Sequence, residues 1–228
     1  MRGISRRLSW ALAAAMALAG SACCHVNNLR EHLPNTKTVL VVPQISGGPT
    51  VQIEAPRTKS KILNIAGTVA AVATALDGYD KITQAATPER MAAVLQQAFA
   101  GQVTAQLDLQ PVADSGQPHD AELHVEVSDY GIRQLGPHSP LEYFFHAEAR
   151  LIRVPDGELI WRDCEGLAAP LSPVIVFGPS RAAATTNTMI GIAALAGLEP
   201  EELAAMFDRI ADDAGRILAQ TMVQDSVE

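Results

Sequence analysis

The chain has 228 residues, of which 17 are basic and 25 acidic, so its formal charge is −8. This length suits one domain with a substantial core and is short for two. The acidic balance argues against binding to nucleic acid and against an electrostatic attachment to anionic lipid.

The first residues have the three-part pattern of a secretory signal peptide. MRGISRR carries three arginines and no acid, an apolar run follows from Leu8 to Ala19, and small residues come next. The run is shorter than the roughly 20 apolar residues that cross a bilayer, so we do not expect a permanent transmembrane helix. The pattern predicts that residues 1–22 are removed after export.

The end of this run, Gly20-Ser21-Ala22-Cys23, resembles the lipobox of bacterial lipoproteins. In that family, a cysteine preceded by small residues receives a diacylglyceryl group on sulfur and becomes the mature amino terminus. The resemblance implies cleavage between Ala22 and Cys23 and lipidation of Cys23. Cys24 fits the pattern less well, because a cysteine would then stand where the family has Ala, Gly or Ser. Gly20 departs from the pattern, which most often has Leu there.

The residue after the lipidated cysteine bears on the membrane that is reached. It is Cys24 and not Asp, and in this family that implies export onward to the outer membrane, facing the periplasm. The alternatives are plain cleavage after Ala22, a twin-arginine signal at Ser5-Arg6-Arg7, and an intracellular protein with a chance apolar start.

Two cysteines remain after lipidation, Cys24 and Cys164. Export permits a disulfide between them, which would tie the membrane end of the chain to the domain. The bridge requires Cys164 to reach a residue beside the membrane, and two unpaired thiols are the alternative.

Beyond the cleavage site, the predicted elements begin with a tether. Residues 23–36 are polar and without periodicity, which is typical of a lipidated linker. A β-branched run from Thr38 to Ile45 predicts a strand that ends in a Ser-Gly-Gly-Pro turn. Apolar residues at helical spacing predict a helix over 60–76 and a second helix with Thr87 as its N-cap and Pro88 at its first position.

A β region is predicted from Ala121 to about Leu167. Alternation of apolar and polar residues, with turn chemistry at Val154-Pro155-Asp156-Gly157, indicates three antiparallel strands and places Trp161 on the face of Leu151. A short strand is expected before this region at Leu109 to Val112. After it, a segment rich in small residues is compatible with a helix or an ordered loop, and a final helix begins near Pro200.

This order predicts an α+β fold, in which residues 37–228 form one two-layer domain with a mostly antiparallel sheet and helices packed on one face. With the lipobox and the Gly157-Glu158-Leu159-Ile160-Trp161 hairpin, the order resembles envelope lipoproteins that share a fold with the amino-terminal domain of TolB. These include curli-secretion-type lipoproteins, penicillin-binding-protein activators and auxiliary lipoproteins of ABC transporters. The resemblance covers about residues 36–222 and transfers no catalytic residue.

Two His-x-Glu pairs, His124 with Glu126 and His146 with Glu148, are the candidates for a metal site. Alternation places all four side chains on the polar side of neighbouring strands, and imidazole with carboxylate can hold zinc. A solvated sheet face explains the same residues and is favoured, because the helical His-Glu-x-x-His spacing and a cysteine ligand are both missing.

Other reactive patterns are incomplete. Ser180 lacks the Gly-x-Ser-x-Gly elbow, and Cys164 stands between acids that disfavour a reactive thiolate. The turn at Ser46 has no lysine of a phosphate-binding loop, and Asp212-Asp213 fits the solvent side of a helix. No catalytic residue and no cofactor are therefore predicted.

We expect a non-enzymatic lipoprotein that is held on the bilayer through Cys23 and contacts an unidentified envelope protein, with oligomerisation also compatible. A carrier of a lipid or other apolar ligand is the alternative, and a metal-dependent hydrolase that uses the His-x-Glu pairs is the third hypothesis.

Overall fold

The computed structural model describes residues 24–52, 77–136, 139–172 and 181–227. The predicted signal peptide, Cys23, the helix predicted over 60–76 and Ser180 lie outside the described residues. Among the helices that are described, none has both the length and the apolar content needed to cross a bilayer.

A seven-stranded mixed sheet forms the centre of the fold. Its strands are β1 (Val26–Asn27), β2 (Thr38–Ile45), β3 (Pro49–Gln52), β4 (Gln110–Val112), β5 (Ala121–Arg133), β6 (Glu142–Arg153) and β7 (Leu159–Pro170). Across the sheet the order is β1-β7-β6-β5-β2-β4, and β3 pairs with β5 beyond the end of β2. The predicted antiparallel arrangement of β5, β6 and β7 and the short strand β4 are confirmed. The parallel pairings of β2 with β5 and β4, and of β3 with β5, were not predicted.

Five α-helices are described: α1 (Leu29–His32), which continues into a 3-10 turn at Leu33–Asn35, α2 (77–85), α3 (Pro88–Gln106), α4 (Arg181–Gly197) and α5 (Pro200–Asp225). The predicted start of α3 is confirmed, because the Thr87 hydroxyl accepts a hydrogen bond from the Arg90 amide at 3.3 Å and Pro88 follows. The segment that was compatible with helix or loop is the helix α4. The start of α5 at Pro200 is also confirmed.

Helices α3 and α5 pack against each other and on one face of the sheet, which confirms the α+β class. Between the layers, Trp161 and Phe99 lie with ring centroids 6.1 Å apart, and Tyr130 meets the edge of Phe207 at 5.8 Å. These four aromatic side chains are fully buried, as is Leu151, which lies opposite Trp161 as predicted. Burial raises the pKa of Tyr130, whose hydroxyl donates to the Ala86 carbonyl at 2.7 Å.

The parallel pairing of β2 with β5 begins at Asp120. Its carboxylate accepts hydrogen bonds from the Lys37 and Thr38 amides, each at 2.8 Å, and from the Thr38 hydroxyl at 3.0 Å. The two amide hydrogen bonds hold the pKa of Asp120 below its usual range. Asp120 therefore sets the register in which the polar side chains of β2 and β5 meet.

The segment predicted to be a tether belongs to the folded domain from Cys24 to Thr36. Val26 and Asn27 pair with Arg162 and Trp161 of β7, and Leu29 is fully buried. The expectation of a loose linker over these residues is corrected, because a strand of two residues and a helix of four are too short to produce a visible periodicity.

Gly131 allows β3 to approach β5 at the bend that follows the irregular pairing between Val127 and Asp129. Its φ is +151°, and a Cβ at this position would collide with the backbone carbonyl oxygen of Thr50. Only glycine fits both the dihedral angle and the close contact.

Gly131→Ala should lower the free energy of unfolding by about 3 kcal/mol, because the methyl group adds both backbone strain and overpacking. The matched control is Gly101→Ala in α3, where a Cβ would meet no atom within 4 Å and where the better helix former should raise stability by up to about 1 kcal/mol. Urea denaturation measures both changes, and equal effects at the two glycines would contradict the assigned contact.

Candidate functional site

Polar side chains from four strands converge on the sheet face opposite α3 and α5. Arg150 Nη2 donates to Gln44 Oε1 at 2.7 Å and to Glu126 Oε2 at 2.9 Å, and Arg150 Nε lies 3.3 Å from Glu148 Oε1. On the other side of Glu148, Arg162 Nε lies 2.8 Å from Oε1. We call these five residues, Gln44, Glu126, Glu148, Arg150 and Arg162, the polar ladder.

The strand register explains why the ladder contains two arginines. Glu126 of β5 lies directly opposite Glu148 of β6, so their charges would repel each other across the strand pair. Arg150 contacts both carboxylates, and Arg162 contacts Glu148 from β7. The ladder therefore joins β5, β6 and β7 through alternating charges, and β2 through the amide oxygen of Gln44.

The two His-x-Glu pairs share this face, as predicted, but they do not form one site. His124 lies opposite Arg150, and its ring nitrogens contact Gln44 Nε2 at 2.8 Å and Glu122 Oε2 at 2.7 Å. The strand register places His124 opposite Arg150 and His146 opposite Asp129, so the two rings lie at different positions along the strand pair. The four candidates are thus divided by a guanidinium group, which would repel a metal cation.

His146 has a different environment from His124. Its ring lies 5.4 Å from that of Phe144, and a Cβ on Gly166 would come within 3.1 Å of it. Burial lowers the pKa of His146, and the positive charge of Arg133 lowers it further. His146 is therefore a half-buried side chain on this face, in surroundings that disfavour its protonated form.

Among the described residues, the group of three potential metal ligands that lie within 4.8 Å of one another is Cys24, Glu148 and Cys164. The structure pairs the two cysteines as a disulfide with Cα atoms 6.0 Å apart, a separation that a bridge spans without backbone movement. Paired sulfurs are not thiolates, and Glu148 is already held by two arginines, so this geometry does not suit a metal ion.

The residues after Cys24 make further contacts with the domain. His25 lies between two acids, with Nδ1 3.6 Å from Asp163 and Nε2 3.6 Å from Asp225. The Asn27 side-chain amide donates to the Asp225 carbonyl at 3.1 Å. We call Cys24, His25, Asn27 and Leu29, with their partners, the amino-terminal clamp.

Asp225 connects this clamp to the core. Its carboxylate accepts a hydrogen bond from the indole N–H of Trp161 at 2.7 Å, and the residue is 8% exposed. The sequence did not indicate this contact. A buried tryptophan needs a hydrogen-bond acceptor, so the existence of an acceptor for Trp161 was predictable. Local sequence does not say which acid provides it.

An open groove of about 800 Å³ lies beside the disulfide. Its lining includes Ser128 of β5, His146 and Glu148 of β6, and Asp163 and Glu165 of β7. Burial raises the pKa of the Glu165 carboxyl, and the negative charge of Asp163 raises it further.

The other sequence patterns have structural explanations. Ser46 and Gly47 form the connection between β2 and β3, and both amides donate to the Val127 carbonyl. Asp212 forms an ion pair with Arg216 on the exposed side of α5. Neither position gathers the groups of a catalytic site around it.

No family model and no curated protein matches the chain. Among solved structures, protein XCC0632 from Xanthomonas campestris, described as DUF330, is 12% identical with a TM-score of 0.44 over 84% of this chain and 86% of that chain. A PelC dodecamer from Paraburkholderia phytofirmans is 13% identical with a TM-score of 0.30 over 72% and 89%. Lipoprotein GNA1162 from Neisseria meningitidis is 17% identical with a TM-score of 0.25 over 69% and 98%. Similarity at this level assigns neither a function nor a partner to the chain.

Arg150→Gln should lower the free energy of unfolding by about 2 kcal/mol, because Glu126 and Glu148 would then face each other without a counter-charge between them. Adding Glu126→Gln should recover part of this loss. Arg216→Gln, which removes an exposed ion pair within α5, is the control and should leave the free energy of unfolding nearly unchanged. Urea denaturation gives all three values, and a loss at Arg150 no larger than that at Arg216 would contradict the ladder.

Proposed function

We propose that the chain is a bacterial envelope lipoprotein, anchored through acyl groups on Cys23, that acts without catalysis as an accessory or assembly subunit. The observation that supports this most is the amino-terminal clamp. Cys24, the residue next to the proposed anchor, is bonded to Cys164 in the sheet, so acyl chains on Cys23 would hold the folded domain itself at the bilayer. Two or more acyl chains suffice for durable attachment.

The polar ladder supports the non-catalytic part of the proposal. A general acid, base or nucleophile needs a group that is free to meet a substrate. In the ladder, the carboxylates of Glu126 and Glu148 are instead held by Arg150 and Arg162. The proposed protein partner remains unidentified, and the proposed location is the outer membrane, facing the periplasm.

Carriage of an apolar ligand is the second proposal, and one feature favours it. A groove of about 520 Å³ between α3 and the edge of the sheet has a lining that includes Leu40, Val41, Ala93, Ala100 and Val112. The space between the sheet and the two long helices does not offer such a site around Trp161, since Phe99, Tyr130 and Phe207 fill it. A carried ligand would therefore bind in the outer groove.

The anchor is tested by labelling cells with palmitate. The wild-type chain should be labelled and should sediment with membranes, whereas Cys23→Ser should lose both properties, because the acyl groups are attached to the sulfur of Cys23. Cys24→Ser is the matched control and should be labelled like the wild type, since it leaves Cys23 in place.

The accessory role is tested by cross-linking in the same membranes. The wild-type chain should be joined to a defined envelope protein, and the yield should fall in Cys23→Ser. An unlabelled wild type, or a Cys23→Ser chain that stays on the membrane, would overturn the anchor. A chain that is labelled but only ever recovered alone would overturn the accessory role.

A further inference from the structure

We infer that the β7 edge of the sheet, with the groove beside the Cys24–Cys164 disulfide, lies at the lipid headgroups, while the side of the domain formed by α3 and β4 faces away from the bilayer. This inference rests on the proposed acyl anchor at Cys23. It adds an interaction surface, whose partner is the hydrated headgroup layer of the membrane that holds the acyl chains.

The folded domain begins at the residue next to the proposed anchor. Neighbouring Cα atoms are 3.8 Å apart, so Cys24 lies within about 4 Å of the residue that carries the acyl chains. The headgroup layer is about 5–7 Å thick on each side of the hydrocarbon. Cys24 must therefore lie in or directly against this layer.

The residues that follow Cys24 are held against the domain and do not act as a flexible linker. As a free linker, residues 24–36 would reach about 40 Å and would leave the orientation of the domain undefined. Instead, Cys24 is bonded to Cys164, His25 lies between Asp163 and Asp225, and Leu29 is fully buried. The position of Cys24 in the membrane interface thus fixes the position of β7.

The order of the strands places β4 far from β7. Strand β7 lies at one side of the sheet, and β6, β5 and β2 separate it from β4. At a spacing of about 4.8 Å between strands, β4 lies roughly 19 Å from β7. Helix α3, which is on the other face, contacts β2 and β5, and its exposed Gln97 lines the groove beside β4. Gln97 is therefore far from the headgroup layer, both when the β7 edge of the sheet points at the bilayer and when the polar face of the sheet is tilted towards it.

The groove beside the disulfide has the chemistry of an interface with headgroups and not with hydrocarbon. Ser128, His146, Asp163 and Glu165 line it, and burying such groups in hydrocarbon is costly. The acids also disfavour contact with anionic lipid, in agreement with the net charge of the chain. The surface fits zwitterionic headgroups, which are hydrated and carry an ammonium group.

The inference is tested by photo-cross-linking the full, acylated chain in vesicles of phosphatidylethanolamine with a minority of phosphatidylglycerol. A benzophenone amino acid replaces Glu165 in one variant and Gln97 in the matched control. The Glu165 variant should form at least about fivefold more lipid adduct, measured by mass spectrometry, because only this position lies at headgroup depth. Ser128, which lines the same groove from β5, is the probe position to use if the Glu165 variant does not fold.

The outcomes separate the anchor from the orientation. Chains that fail to sediment with the vesicles contradict the acyl anchor and so the proposed function. Chains that sediment but give equal adduct at Glu165 and Gln97 overturn the orientation and leave the anchor intact. In Cys24→Ser/Cys164→Ser, the contrast between the two positions should become smaller, since Cys24 is released while the pairing of Val26 and Asn27 with β7 and the buried Leu29 still hold the residues after it. An unchanged contrast would overturn the role of the disulfide in setting the orientation.

Discussion

The hydrogen bond from the Trp161 indole to Asp225 is the interaction that positions both ends of the domain against β7. Trp161 is fully buried, and an unpaired indole N–H in the core would be costly. Asp225, at the end of α5, provides the acceptor and thereby fixes where the last helix meets β7. The same residue contacts His25 through its carboxylate and Asn27 through its carbonyl. The first and last described segments of the chain are thus joined at one strand.

The polar ladder on the open face of the sheet depends on the register in which the strands pair. Its charges alternate only if β5, β6 and β7 are paired as observed, since a shift of one residue would move each side chain to the other face. The ladder therefore stabilises one arrangement of four strands, in which β5, β6 and β7 follow one another along the chain and β2 pairs with the distant β5. The same ion pairs occupy the carboxylates of Glu126 and Glu148, which for that reason do not suit a metal site.

The sequence predicted the elements that are long enough to show a period. Strands β5 to β7 and helices α3 and α5 fall in this class, whereas β1 and α1 depend on single contacts such as that of Leu29. The parallel partner of β2 could not be predicted, because local alternation does not encode pairing between distant strands. Pro43 is tolerated in β2 because β4 pairs only with residues 38–40 of that strand. At the site, the shared face of the His-x-Glu pairs was predictable, but the position of Arg150 between them depends on the register.

Two adjacent cysteines have different roles in the proposed function: Cys23 carries the acyl groups, and Cys24 is bonded to Cys164. Mass spectrometry of the protein from native membranes, digested with trypsin without reduction, tests both roles at once. It should find an acylated peptide from Cys23 to Arg30 that is joined through Cys24 to the peptide from Asp163 to Arg181. Acyl groups on Cys24, residues retained before Cys23, or free thiols at Cys24 and Cys164 would contradict the account.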